Sequence, residues 1–240
     1  MLKRAIPYRQ FIVRTKQLVI TVGLCIAWLT VSPAHAHFVW VERDATGPAR
    51  MYFGEWANDL REKSGGRLDM FKTPQAFSTS ATQPLPLARR SDHLEIAVNG
   101  SSDVRVVETS LAPREDKQNS GKTKNVFCAK AGRADTTAKL DLEFVPTTAN
   151  GNTFVLMFHG APLAKTDVTV FGPPKWEKPL QTDDQGRITT PTPWAGRYIL
   201  NAVFIEQVAG TGDSGAFDRT RYVTTLSFVN PNGLPWAEGR

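Results

Sequence analysis

Cysteine is almost missing from this 240-residue chain, which has two, Cys25 and Cys128, and histidine is scarce at four. No Cys-x-x-Cys and no His-Glu-x-x-His pattern occurs. A zinc ribbon or a helical zinc protease site is therefore excluded, and any metal site must be assembled by the fold. A Gly-x-Ser-x-Gly elbow and a Gly-rich phosphate loop are also absent, which removes the usual local signals for an α/β-hydrolase or a nucleotide enzyme. The one long apolar run, Leu18–Val31, is 14 residues. A membrane-spanning helix needs roughly 20.

That run has a different reading. Lys3, Arg4, Arg9, Arg14 and Lys16 precede it, with no acid among them, and Pro33 and Ala34-His35-Ala36 follow it. A basic start, an apolar stretch and a small-x-small site in this order predict a signal peptide, residues 1–36, cleaved after Ala36. Cys25 follows Leu24 rather than a small residue, so no lipid-anchoring motif forms there. The expected location is periplasmic or secreted. The first 36 residues hold five of the 29 basic residues and none of the 23 acids, so the formal charge drops from +6 to +1 on cleavage. A near-neutral mature chain gives no reason to expect nucleic acid or an anionic membrane as partner. One cysteine, Cys128, remains, so no internal disulfide is available and packing must supply the stability. Its setting in "KNVFCAK" predicts a buried strand position.

Cleavage after Ala36 makes His37 the first residue. A terminal histidine offers its α-amine and its imidazole Nδ1, which close one chelate ring on a metal. The amine has a pKa of about 8, so a metal displaces its proton near neutrality. A nitrogen-rich set of this kind suits Cu(II) or Ni(II) rather than Mg(II) or Ca(II). The competing reading is that His37 is simply the residue that begins a strand.

The remaining 204 residues read as β almost throughout. "HFVWVE" sets Phe38 and Trp40 alternating with Val39 and Val41, "DHLEIAV" and "AKLDLEFVP" alternate apolar and polar positions, and Asn99-Gly100 supplies a turn before "DVRVVET". "EWANDLREKSGG", about residues 55–64, is the one helical expectation, with Trp56 and Leu60 four apart and Gly65-Gly66 as a stop. "PTTANGN" at 146–152 marks a boundary, after which come strands punctuated by turns such as Asp184-Gln185-Gly186. The fold class expected is all-β, with two stacked β-sandwich units, an N-terminal one over 37–147 and a C-terminal one over 150–230.

"GAPLAKTDVTVFGP", "KPLQTDDQGRITTPTPWAGRYIL" and "FDRTRYVTTLSF" resemble the C-terminal half of a bacterial periplasmic family of uncharacterised function. The opening, Ala-His-Ala followed by "HFVWVE", is similar as well. The resemblance implies a transthyretin-like or Ig-like sandwich. Some members of that family are described as the periplasmic component of a cobalt or nickel uptake system, which implies a divalent transition metal ion and a membrane transporter subunit as partner.

Three histidines survive processing: His37, His93 and His159. His93 begins a strand in "RRSDHLEIAV" and is the expected second imidazole. His159, before Gly160, is a weaker candidate. Glu55 and Asp59, four apart, would share a helical face and add oxygen ligands; the plainer reading is solvated surface. Glu42, at the end of the first strand, has the same two readings. Trp56, Trp176 and Trp194 are expected in the core or at sandwich edges. The function expected is capture of nickel, cobalt or copper for a membrane transporter, with no catalytic residue. The alternatives are a non-catalytic structural or protein-interaction module and, less favoured, a copper histidine-brace oxidative enzyme.

Overall fold

The alternating runs become strands that pack as layers. The computed structural model describes residues 37–44, 46–116, 120–173 and 175–236. In chain order, β1 is Phe38–Glu42, β2 Ala49–Glu55, β3 Leu60–Arg61, β4 Gln75–Phe77, β5 Pro84–Leu85, β6 Leu87–Arg89, β7 Leu94–Ile96 and β8 Val104–Glu108. Then come β9 Arg114–Glu115, β10 Lys122–Ala131, β11 Leu142–Pro146, β12 Thr153–Phe158, β13 Ala161–Pro162 and β14 Asp167–Gly172. The last six are β15 Trp176–Gln181, β16 Arg187–Thr189, β17 Gly196–Glu206, β18 Gly210–Gly212, β19 Gly215–Phe217 and β20 Arg219–Asn230.

A nine-stranded sheet in the order β15-β14-β17-β20-β10-β8-β4-β5, with β9 on β10, is the central layer. Its two long inner strands, β10 and β20, pair in parallel. Side chains alternate across this sheet, and β10 shows both sides. Phe127, Ala129 and Ala131 enter a core with Val39, Val41, Phe53 and Phe71. Val126 and Cys128 enter another with Leu142, Phe144 and Phe154. The first core is roofed by a sheet of β1-β2-β7-β6 with β3 on β2; the second by β11-β12-β13 with β16 on β12. The all-β expectation holds.

The boundary expected at 147–150 falls in the turn joining β11 to β12, two paired strands of one small sheet. The central sheet draws β8 and β10 from one side of that point and β14, β17 and β20 from the other. Residues His35–Arg240 accordingly cluster as one compact unit. The two cores are two faces of one shared sheet.

Buried charges fasten the layers. Arg105 on β8, Lys130 on β10 and Glu143 on β11 are each at most 1% exposed. Arg105 Nε donates to Glu143 Oε1 at 2.9 Å, and Lys130 Nζ lies 3.3 Å from the same oxygen. Glu143 Oε2 accepts the backbone N–H of Lys139 and Leu140 at 2.7 and 2.9 Å. Both Glu143 oxygens have partners, and Arg105 and Lys130 are also paired with Asp135 and Asp103 at 3.3 Å, the condition under which buried charge is tolerated.

The helix expected near 55–64 does not form. Trp56–Asn58 is a single 3-10 turn that ends on Asp59 at φ 52°, and the chain then doubles back as β3 onto β2. Gly54 is the reason. Its φ is 153°, and a Cβ there would sit 1.9 Å from the Leu60 carbonyl oxygen. Glycine lets the returning strand close on β2, and that pairing outcompetes a helix.

Candidate functional site

His37 stands immediately before β1, so strand alternation puts it on the same side as Val39 and Val41. Its ring lies against Phe53, 5.2 Å between centroids. Nδ1 is 3.0 Å from Glu55 Oε1 and Nε2 is 2.7 Å from Glu62 Oε1. Arg67 Nη1 is 3.4 Å from the same Nε2. Glu55 closes β2, and Glu62 follows β3. The Gly54 turn-back brings them together, since Glu62 N–H donates to the Phe53 carbonyl at 2.8 Å. All three side chains are less than one-fifth exposed, at 18–19%.

Two protonation states fit these contacts. As imidazolium, His37 donates from both nitrogens, one to each carboxylate. As neutral imidazole it donates from one and keeps a lone pair on the other. When Nε2–H is given to Glu62, the lone pair is on Nδ1, beside Glu55. Ligands at adjacent positions on a metal with bonds of about 2.1 Å stand about 3.0 Å apart, and the Nδ1–Oε1 separation is 3.0 Å. The two carboxylates lie at opposite edges of the ring. Among the described residues, no group of three or more His, Cys, Asp or Glu side chains is already gathered as a metal cage. The α-amine that would complete the set depends on the cut after Ala36, which lies outside the described residues.

His93 is not brought to His37. Its Nδ1 is 2.7 Å from Asp92 Oδ1 and its ring lies on Tyr52 at 5.4 Å. Tyr52 and Phe53 are consecutive in β2 and point to opposite faces. The histidines that rest on them are therefore on opposite sides of the sheet. The hydrogen bond from His93 holds the Asp92 carboxyl below its ordinary pKa. His159 belongs to the other roof, half-exposed, at φ 47° against Phe158, with Nδ1 3.6 Å from Asp141. Asp59 pairs with Lys175 and is separated from Glu55 because no α-helix joins them. Glu42 is buried and accepts from Trp40 Nε1 and Arg61, both at 3.0 Å. Trp56 packs edge-on against Trp40, and Trp176 against Trp194. Cys128 is a free thiol with no exposed surface, and burial pushes its pKa up to about 12.

Glu62 is the residue that sequence reading missed. "LREKSGGR" carries no period that points it at His37. The only signal is indirect: a glycine inside the strand pattern of "MYFGE", the mark of a close backbone approach.

The chain belongs to the family described as "Domain of unknown function (DUF4198)", whose model matches residues 34–206. No curated protein and no solved structure matches it. No helix among the described residues is long and apolar enough to cross a membrane.

Proposed function

We propose that the processed protein captures a divalent transition metal, nickel, cobalt or copper, outside the cytoplasm. The α-amine and Nδ1 of His37 form the chelate ring, and Glu55 supplies the third donor. Glu62 accepts the Nε2 proton and so fixes the tautomer, the role a carboxylate commonly has behind a metal-bound histidine. The observation that carries this reading is the clamp on His37: one carboxylate at ligand spacing from Nδ1, another at hydrogen-bond distance from Nε2. The resemblance of the chain to proteins described in cobalt or nickel uptake supports hand-over of the ion to a membrane transporter.

Equilibrium dialysis of the protein beginning at His37 against Ni(II), Co(II) and Cu(II) tests the reading. Removing the direct donor in Glu55→Gln weakens binding about tenfold or more, and Glu62→Gln weakens it about 10- to 100-fold through the tautomer. His93→Ala leaves it unchanged, because His93 lies on the other face. If Glu55→Gln and Glu62→Gln bind as the parent does, the clamp is instead an imidazolium salt bridge of a non-catalytic interaction module.

A further inference from the structure

A cleft of about 480 Å³ opens beside His37. His37 itself is in its lining, and its floor is apolar, with the half-buried Met70 and Leu111 beside Phe53 and Phe127, which are only 5% and 6% exposed. Its polar groups are almost all donors. Arg67 is 69% exposed, and its only carboxylate neighbour, Glu62, is 3.8 Å away and already bonded to His37. Arg114 forms no salt bridge among the described residues.

Behind the cleft, Asn125 and Arg221 are partners in the parallel β10–β20 register. Arg221 donates to Asn125 Oδ1 at 3.4 Å and likewise has no carboxylate partner among the described residues. It is half-buried, and burial lowers the pKa of its guanidinium. The bond to Oδ1 leaves the Nδ2 hydrogens of Asn125, a cleft-lining residue, for another acceptor.

A partly buried guanidinium without a counter-charge is costly, and two more guanidiniums stand at the cleft rim. A neutral apolar molecule leaves the donors unpaired. A small inorganic anion satisfies the donors but leaves the apolar surface of Met70 and Leu111 wet. One chemistry answers both surfaces. We propose that this cleft binds a small organic carboxylate with an apolar body, its carboxylate on Arg67, Arg114 and Asn125 and its body on Met70, Leu111 and the exposed edges of Phe53 and Phe127. Guanidinium forks match carboxylate oxygens in pairs, and the volume lies within the ~300–1,000 Å³ range of small-molecule sites. Neither the α-amine nor a metal enters this proposal, so it stands apart from the metal reading.

The test is calorimetric titration of benzoate and of phthalate into metal-stripped protein, with benzyl alcohol and inorganic phosphate as contrasts. Benzoate or phthalate should bind saturably and more tightly than either contrast. Arg114→Gln and Arg67→Gln, both at exposed positions, should each weaken binding about tenfold, close to 1.4 kcal/mol. Three results overturn the proposal: no saturable binding of either carboxylate up to about 10 mM, where little interaction energy is left; phosphate or benzyl alcohol binding as tightly; or both arginine variants binding as the parent does. Because the protein is metal-free throughout, a failure here leaves the metal reading standing, and the converse holds.

Discussion

His37 is set between two carboxylates by a strand and its turn-back, and its chemistry follows from which nitrogen keeps the proton. In the neutral imidazole, Glu62 at 2.7 Å is the nearer acceptor, and a proton given to it from Nε2 leaves the lone pair on Nδ1. His37 stood out in the sequence by its place after the expected cleavage site, whereas Glu55 was a candidate only on a helical face shared with Asp59, and that helix does not form. Glu62 was not a candidate, because its proximity is created by pairing rather than spacing. Cys128 shows the same residue scale without function. Its alternation with Phe127 predicts burial, and it is fully buried. An unfolded thiol ionises near ~8.5, whereas the folded one is pushed up to about 12. The folded state holds that proton as pH rises while the unfolded state releases it, so stability is lost above pH ~8.5. The loss reaches about 2 kcal/mol at pH 10. The stability difference between the parent and Cys128→Ala should shift by that amount between pH 7 and 10 in urea titrations, against the parent. A gap that does not change with pH contradicts a buried neutral thiol.

At the scale of elements, β1, β7 and β11 were legible because one or both of their faces alternate cleanly into a core. "EWANDLREKSGG" has the four-residue apolar spacing of a helix, but Gly54 before it lets the chain pair back onto β2. Local propensity yielded to the β2–β3 pairing. That pairing also holds the clamp, so Gly54 is its structural key. Gly54→Ala places a Cβ on the Leu60 carbonyl in a backbone region L-residues avoid. The expected cost is about 3 kcal/mol or more in chemical denaturation, with loss of the His37–Glu62 contact in the proton NMR of the imidazole. A change within ~0.5 kcal/mol, the level of an ordinary surface substitution, contradicts this role for Gly54.

Across the whole molecule, one central sheet serves two cores. Sequence patterns located most strands but not the parallel β10–β20 pair, which joins residues 123–131 to 219–227. Long-range pairing leaves no local mark, so the sheet shared by the two stacked sandwich layers was not legible in the sequence. The Arg105–Lys130–Glu143 cluster links the central sheet to β11. Glu143→Gln removes the shared carboxylate but leaves Arg105 with Asp135 and Lys130 with Asp103, each at 3.3 Å, and should cost about 1–3 kcal/mol. Denaturation with an unchanged midpoint contradicts that. The layered scaffold also places the start of β1 at the clamp, where the proposed cut after Ala36 would leave the α-amine. The most direct measurement compares Cu(II) and Ni(II) titrations of two proteins, one beginning at His37 and one with a single alanine before it. The added residue keeps the imidazole, Glu55 and Glu62 but turns the α-amine into an amide. The predicted result is a loss of about two decades in affinity, roughly 2.7 kcal/mol, with the same fold by circular dichroism. Equal affinity in the two proteins contradicts a metal site built on the terminal amine.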